Sequence, residues 1–403
     1  MQIRYQCIEC GRKYETNTEI MYVCPVCSAM QHPQEPIRGV LRVLLPYDQL
    51  KITIDQFSFT SDELLPVTSQ FMTSFPVGNT PLFRSDRIER ELGFEHLFFK
   101  NDSLNPTGSI NDRASLSIAS FAVKRNEKKV VLASTGNLAA SMASISAAAD
   151  LNCVAFIPAT ISRQKLAQIL TYGTHVVLID GSYDEAYDLA IDYKNRYGGI
   201  CGNAVYNPYS IEGMKTIAYE IYRQLDHSVP DFIFIPSGNG TLLSSIYKGF
   251  YDMFQFDWFV EMPRLVAVQA EGNDAIVNAL SSGVIKNISG KPSIADSLNI
   301  SIPRNAHLAL KDIESTCGFG INVNNQEIRC AQDYLAKHLG IFVEPAAAVA
   351  YAGFVKYKHN LAKEAKIVLM LTGCGLKSAS DITKRIKYPK PIPPNLSSIP
   401  EEI

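Results

Sequence analysis

The 403-residue sequence has little net charge, one tryptophan and no long uninterrupted apolar run. The low charge and the absence of a long apolar run each exclude a class of binding partner or of protein. A formal net charge of −2, without a dense Lys/Arg run, gives no electrostatic reason to expect nucleic acid or an anionic membrane as a partner. The least polar window, 137–161, is interrupted by Asp150, Asn152 and Pro158. It therefore predicts a small-residue helix packed on a buried strand, and no membrane span.

A secretory signal and a disulfide framework are also missing from the pattern. The first residues, "MQIRYQCIECG", lack the basic-then-apolar order of a signal peptide. Of the nine cysteines, four cluster near the start and five are scattered singly. We therefore expect a reducing, cytoplasmic setting.

The clustered cysteines form two Cys-x-x-Cys pairs, Cys7/Cys10 and Cys24/Cys27, with thirteen residues between them. Two residues between thiolates allow one tight turn to present both sulfurs at about 2.3 Å from a zinc ion. The spacing predicts a structural zinc ribbon over residues 1–36, whose metal supplies its folding energy. A redox pair and a metal-free ribbon are the alternatives. A zinc held by four thiolates has no open position, so we expect no catalytic role for it.

The rest of the chain predicts an α/β fold with parallel, doubly wound sheets, because short apolar runs alternate with helical patterns. The runs read as buried strands are "HLFFK", "KKVVLAS", "NCVAFIPA", "HVVLID", "DFIFIPSG", "RLVAVQA" and "KIVLMLTG". The stretches "SYDEAYDLAIDYKNRY" and "SIEGMKTIAYEIYRQL" read as helices. Ligands bind beyond the carboxyl ends of such strands, so the tips "ASTGN", "IPSGNGT" and "LTGCG" mark the expected site.

One of these tips has the features of a phosphate site. "FIFIPSGNGTLL" predicts a strand, a loop from Ser237 to Thr241 and a helix. Free N–H groups at a helix N-terminus favour a phosphate, and glycines let it approach closely. A tight turn alone would also explain the glycines. "LASTGNLAAS" repeats the strand–turn–helix pattern, and its small residues could equally serve only helix–sheet packing.

Taken in order, the motifs resemble the zinc-ribbon-bearing threonine synthases of the tryptophan synthase β-like, fold type II pyridoxal phosphate family. The segments that carry the resemblance are "KNDSLNPTGSINDR", "STGNLAAS", "KLAQILTYGTHVVLI", "NPYSIEGMKTIAYEI", "EPAAAVAYAGFVK" and "LTGCGLKS". They span most of the chain. The resemblance implies two doubly wound α/β lobes, pyridoxal phosphate as cofactor, and conversion of O-phosphohomoserine to threonine and phosphate.

The resemblance also implies roles for single residues. Asn137 would face the ring hydroxyl of the cofactor, and Thr372 would meet its pyridine nitrogen. The phosphate cup would comprise Ser237, Gly238, Asn239, Gly240 and Thr241. The carboxylate of the amino acid substrate would be held by Ser134, Thr135 and Gly136.

The sequence departs from the family at the residue that should bind the cofactor covalently. Asn111 stands where the family has its Schiff-base lysine. An amide has no basic lone pair, so it forms no imine and shuttles no proton as an amine does. Lys165 and Lys215 occupy positions where family members carry lysine besides the catalytic one, so neither is a migrated replacement.

Four further departures concern the same pocket. Ser210 replaces an arginine that grips the substrate phosphate, Leu138 a threonine, Thr241 a glycine of the cup, and Cys374 a histidine. Asn111 alone could be an engineered substitution that traps an intermediate. Engineering would leave the other changes unexplained, so natural divergence is the better interpretation.

Two functions therefore stay open. The first is a threonine synthase-like lyase that uses an unrecognised base. The second is an inactive or repurposed homologue that binds pyridoxal phosphate non-covalently, or another small phosphorylated ligand, as a regulatory or partner subunit. A lysine-independent catalyst with a new substrate lies between them. We expect authentic threonine synthase activity to be lost.

The expected organisation has four parts. After the zinc ribbon (1–36), a large lobe combines 37–126 with 210–387, and a small mobile lobe spans 127–209. The proline-rich segment 388–403 is expected to be an extended tail. The site would lie between the lobes and bind a small amino acid or phosphorylated ligand. The family resemblance implies a homodimer.

Overall fold

The computed structural model describes residues 2–15, 20–32, 34–67, 75–287 and 292–379, with Thr383, Arg385, 388–389 and 391–394. Most of the predicted tail lies outside these residues. The strands are β1 (Arg4–Cys7), β2 (Lys13–Glu15), β3 (Leu41–Leu44), β4 (Leu82–Arg84), β5 (His96–Asn101), β6 (Lys129–Ala133), β7 (Asn152–Pro158), β8 (His175–Ile179), β9 (Ile200–Cys201), β10 (Phe232–Pro236), β11 (Arg264–Ala270), β12 (Phe319–Val323) and β13 (Lys366–Leu371).

Helices connect most of these strands. They are α1 (Pro25–Ser28), α2 (Tyr47–Thr53), α3 (Asp86–Leu92), α4 (Asn111–Lys124), α5 (Asn137–Ala148), α6 (Arg163–Thr171), α7 (Tyr183–Tyr197), α8 (Tyr209–Met214), α9 (Thr216–Gln224), α10 (Thr241–Phe254), α11 (Ala275–Ser282), α12 (Ala306–Ser315), α13 (Asn325–Tyr334) and α14 (Pro345–Tyr357). Among the described residues, no helix is both long enough and apolar enough to cross a bilayer.

Three sheets organise the described part of the chain. At the N-terminus, β1 pairs antiparallel with β2 and with β3, in the order β2-β1-β3. A four-stranded parallel sheet has the order β8-β7-β6-β9. A six-stranded sheet has the order β12-β11-β10-β13-β5-β4, and only its edge strand β4 runs antiparallel. The α/β prediction is thus confirmed, whereas the lobe boundaries remain a prediction.

The prediction that all seven apolar runs are buried was wrong for β8. This strand is the edge of the four-stranded sheet, and Val177 and Leu178 are 37% and 51% exposed. By contrast, β6 is central in its sheet, and its Val130, Val131 and Leu132 are completely buried. An apolar run predicts a buried strand only where other elements pack on both faces of the sheet. An edge strand is less completely covered, so its apolar side chains can be exposed.

The single helix predicted over "SIEGMKTIAYEIYRQL" is two helices, α8 and α9, separated at Lys215. The backbone N–H of Ala218 bonds to the Lys215 carbonyl at 2.9 Å, a spacing of three residues that interrupts the α-helical pattern. The ammonium group of Lys215 is fully buried and lies 2.7 Å from Asp252 of α10. This ion pair holds the junction against α10.

A buried ionic network fixes the start of α4, which carries Asn111. The guanidinium of Arg113 donates to Asp102 (Nε–Oδ2, 2.6 Å) and to Glu220 of α9 (Nη1–Oε1, 2.6 Å). Lys100 donates to the second oxygen of Glu220 at 2.6 Å. Because a buried charge that loses its partner is costly, the network holds the first turn of α4 against β5 and α9.

Candidate active-site cavity

A cavity of about 170 Å³ lies where the carboxyl ends of β6, β10 and β13 meet the start of α4. These three strands end in the tips that the sequence marked. Nine of the predicted site residues line the cavity: Asn111, Ser134, Thr135, Asn137, Gly238, Asn239, Gly240, Thr241 and Thr372. Segments far apart in sequence therefore converge on one space.

Two predicted residues do not line this cavity. Ser237 is buried, and its hydroxyl donates to the Ile235 carbonyl at 3.0 Å, so it shapes the loop from within. Gly136 has a φ of +144°, and a Cβ there would lie 2.6 Å from Cδ of Lys165. Because Gly136 has no side chain, the aliphatic part of the Lys165 side chain can cross the turn before α5.

Asn111 occupies the first turn of α4, and its side chain is directed by a neighbouring serine. The amide Nδ2 donates to Oγ of Ser109 at 3.1 Å. The same strand-to-helix corner is fixed to the tip of β13, because the N–H of Ile110 donates to the Thr372 carbonyl at 2.9 Å. The position of the absent lysine therefore faces the cavity beside Thr372.

The loop between β10 and α10 presents unpaired polar groups to the cavity. Gly240 has a φ of +85° and precedes the first residue of α10. The buried hydroxyl of Thr241 has no hydrogen-bond partner among the described residues. Asn239 accepts through its side-chain oxygen from the backbone N–H of Arg304 at 3.0 Å, and its side-chain amide also bonds to Tyr183, so its backbone is what it offers a ligand. A helix N-terminus in this conformation suits an anion.

Sequence reasoning missed Glu344, which lines the cavity and is 2% exposed. Both of its carboxylate oxygens accept from Nδ2 of Asn137, at 2.8 Å and 3.0 Å. Burial raises the pKa of Glu344, and Lys165 acts in the opposite direction. The glutamate begins "EPAAAVA", a segment whose resemblance to the family gave no separate role to its first residue. Ser297 and Tyr183 were also missed.

No lysine lines the cavity among the described residues, although two lie nearby. Lys165 is buried, and its Nζ lies 2.7 Å from Asp296 and 3.4 Å from the hydroxyl of Ser297. Lys377 donates to the Thr107 carbonyl at 2.8 Å and to Gln168 at 2.9 Å. Both amines are thus engaged by other groups.

The remaining departures from the family motifs are divided between the cavity wall and the interior. Leu138 lines the cavity. Ser210 is fully buried in α8, and its hydroxyl has no partner among the described residues. Cys374 is half-buried, and its N–H bonds to the Gly108 carbonyl at 2.9 Å. Neither Ser210 nor Cys374 contributes to the cavity lining.

The four N-terminal cysteines also converge. The sulfurs of Cys7, Cys10, Cys24 and Cys27 lie within 4.8 Å of one another. Cys7 and Cys27 are separated by 3.7 Å, and Cys10 and Cys24 by 3.8 Å. A tetrahedron with metal–sulfur bonds of about 2.3 Å requires sulfur–sulfur separations of about 3.8 Å. The hydroxyl of Tyr14 lies 3.0 Å from the Cys24 sulfur.

Comparison with known proteins places the chain in a family. Residues 73–373 match the family described as "Pyridoxal-phosphate dependent enzyme". The chain is 34% identical to the threonine synthase of Methanocaldococcus jannaschii, over 92% of each chain. It is 33% identical to that of Methanosarcina acetivorans, over 99% of this chain and 98% of the relative.

Solved structures share the fold at lower identity. Maize serine racemase superposes with a TM-score of 0.66 at 23% identity, over 77% of this chain and 93% of that one. The processed form of threonine deaminase isoform 2 from Solanum lycopersicum gives a TM-score of 0.66 at 22% identity, over 81% and 94%. The chain therefore belongs to the pyridoxal-phosphate dependent enzyme family, as a threonine synthase-like member of fold type II.

Proposed function

We propose that this protein binds pyridoxal phosphate without a covalent bond and no longer performs the threonine synthase reaction. The observation that carries the proposal is Asn111, an amide that faces the cavity at the position of the family's lysine. The nearby amines of Lys165 and Lys377 support it, because each is engaged with another polar group. The chain would then be a repurposed homologue that uses the inherited cavity for binding.

The residues around the cavity fit the non-covalent part of the cofactor. The N-terminus of α10, with Gly240 and the unpartnered hydroxyl of Thr241, offers a phosphate the donors that it requires. Thr372 stands on the wall where the pyridine nitrogen would be recognised, and Asn137 stands where the ring hydroxyl and the neighbouring 4′ carbon would lie. Ser134 and Thr135 follow β6 just before α5, where an amino acid carboxylate would be held.

The same residues do not supply the proton transfers of the family reaction. Bound pyridoxal phosphate would supply an electron sink for charge that develops on an amino acid. A general acid or base contributes about 10²–10⁴ in rate per step, and Asn111 cannot act as one. Glu344 is bonded through both oxygens to Asn137, which favours a role in orienting that amide.

The substrate of the family would also lose a residue that binds its phosphate group. Ser210 cannot replace the bidentate pairing of an arginine with a phosphate. It is completely buried, so its hydroxyl does not reach the cavity. Loss of O-phosphohomoserine turnover therefore follows from two separate positions.

We also propose that Cys7, Cys10, Cys24 and Cys27 bind one structural zinc ion in an N-terminal ribbon. Their sulfur separations support this assignment, because they agree with those of a tetrahedral thiolate site. The ion would cross-link β1 to the turn before α1. Four thiolates would leave it no open position for catalysis.

Absorbance spectroscopy of the purified protein with pyridoxal phosphate tests the cofactor proposal. We expect saturable binding, with no lysine adduct after borohydride treatment and peptide mass spectrometry of the cavity segments. Asn111→Lys should create an adduct at position 111. Asn195→Lys, on the exposed face of α7, is the matched control for adducts with surface lysines. An adduct on Lys165 or Lys377 of the unaltered protein, with phosphate release from O-phosphohomoserine, would overturn the proposal.

A further inference from the structure

The cavity wall near Asn137 presents hydrogen-bond acceptors without matching donors. The Glu344 carboxylate fixes the orientation of the Asn137 amide, because both carboxylate oxygens need the N–H groups. The amide oxygen of Asn137 is consequently turned away from Glu344, and it is buried without a partner among the described residues. Buried acceptors of this kind are costly unless a ligand supplies the donor.

Asn111 adds a second acceptor to the same wall. Its Nδ2 is directed to the hydroxyl of Ser109, so its oxygen is the side-chain atom left for a ligand. Ser109 pairs with Gly373, and the Gly373 carbonyl accepts from the N–H of Glu344 at 3.0 Å. The segments that carry Asn111 and Glu344 are therefore joined through the backbone of the β13 tip.

The charges around Glu344 point in the same direction. The titratable side chains that act on it are Asp296, Lys165 and Lys377, and Lys377 also faces Asp112. Asp296 is half-exposed, whereas Glu344, Asp112, Lys165 and Lys377 are buried. Lys165 and Lys377 are each hydrogen-bonded to other groups, and the side-chain partner of the Glu344 carboxylate is the neutral amide of Asn137. A charged donor beside this carboxylate would therefore be favourable.

We propose that this cavity selects a vitamin B6 phosphate whose 4′ carbon carries a protonated amine, with Glu344 and the amide oxygens of Asn111 and Asn137 as its acceptors. The inference rests on the proposed cofactor site and specifies which form that site prefers. The three N–H groups of the amine would supply a charged donor for Glu344 and donors for the two amide oxygens. An aldehyde at the same carbon supplies neither, because its oxygen only accepts hydrogen bonds.

Titration calorimetry with two non-covalent probes tests this preference at neutral pH. Pyridoxamine 5′-phosphate carries the amine, and pyridoxine 5′-phosphate carries a neutral hydroxyl group on the same carbon. Since a hydrogen bond to a charged group contributes more than a neutral one, we expect pyridoxamine 5′-phosphate to bind about tenfold more tightly or better. Pyridoxal 5′-phosphate is measured beside them, with borohydride treatment to account for surface adducts.

Two substitutions should change the preference in a predictable way. Glu344→Gln removes the carboxylate and should reduce the ratio of the two affinities to about twofold or less, mainly through weaker binding of the amine. Asn111→Lys removes the amide acceptor and places a positive charge beside the amine, so it should reverse the preference. Glu364→Gln, on the exposed surface, is the matched control and should leave the ratio unchanged. Thermal unfolding of each variant verifies that it is folded.

The outcomes separate this inference from the proposed function. Equal binding of both probes, or a ratio that Glu344→Gln leaves unchanged, overturns the amine preference while the phosphate-binding site stands. Binding of none of the three B6 phosphates overturns the proposed function itself, and with it this inference. A tenfold preference that disappears in Glu344→Gln and persists in Glu364→Gln supports the inference.

Discussion

The side-chain amide of Asn137 donates to both carboxylate oxygens of Glu344, at 2.8 Å and 3.0 Å, across 207 residues of chain. Asn137 begins α5 beyond the four-stranded sheet, and Glu344 precedes α14 of the six-stranded sheet. The contact therefore ties the tips of the four-stranded and six-stranded sheets together at the cavity. It also places the buried carboxylate of Glu344 where a ligand would bind. Burial of this carboxylate makes the stability of the ligand-free protein depend on pH.

Glu344→Gln should stabilise the ligand-free protein at neutral and alkaline pH. Burial raises the pKa of Glu344 in the folded state above its ordinary value of 4.5. Its contribution to stability is therefore fully present below about pH 4.5 and is lost as the pH rises through the folded pKa. Urea unfolding of the wild type and the variant between pH 5 and 8 should show a widening difference in free energy. Glu364→Gln should show no such pH-dependent difference from the wild type. If the unfolding free energies of Glu344→Gln and the wild type differ by the same amount at every pH, the raised pKa of Glu344 is contradicted.

The position of the cavity was predictable from sequence, because the tips of parallel strands meet at one edge of a sheet. "LASTGN", "IPSGNGT" and "LTGCG" end β6, β10 and β13, and all three contribute to the cavity. Glu344 was not identified, because its importance depends on a contact with Asn137 that no local pattern encodes. The exposure of β8 was mispredicted for a related reason: burial depends on which neighbours cover a strand, and the apolar run alone does not record them.

Replacing Cys10 with serine should abolish zinc binding and loosen the N-terminal sheet. A purified chain should contain about one zinc per molecule by elemental mass spectrometry. Cys10→Ser removes one of four ligands, so zinc content and resistance of residues 4–44 to proteolysis should both fall. Cys330→Ser, an exposed cysteine of α13, is the matched control. Full zinc content in Cys10→Ser, or no zinc in the wild type, would refute a four-thiolate site.

Ser210→Ala should leave the free energy of unfolding unchanged or raise it by up to about 1 kcal/mol, because a buried hydroxyl without a partner stabilises nothing. Ser141→Ala is a matched comparison, since Ser141 is equally buried in a helix but donates to Ser115 at 2.7 Å. It should cost about 1–2 kcal/mol. Chemical denaturation of both variants measures the difference. Equal losses would show that the Ser210 hydroxyl has a partner of comparable strength.

Gly240→Ala should weaken binding of phosphorylated ligands far more than backbone strain alone would. Gly240 has a φ of +85°, and a Cβ there would lie 2.6 Å from Cβ of Ala309 and 3.1 Å from Cδ1 of Ile276. The loop must shift to relieve that contact, and the N-terminal groups of α10 would move with it.

Gly283→Ala isolates the conformational cost, because Gly283 has a φ of +70° with nothing within 4 Å of the added atom. Each variant should lose about 1 kcal/mol to the left-handed conformation. Only Gly240→Ala should lose more than this, together with most of its affinity for pyridoxamine 5′-phosphate in calorimetry. Equal stability losses and unchanged affinity in both variants would show that the α10 loop does not hold the phosphate.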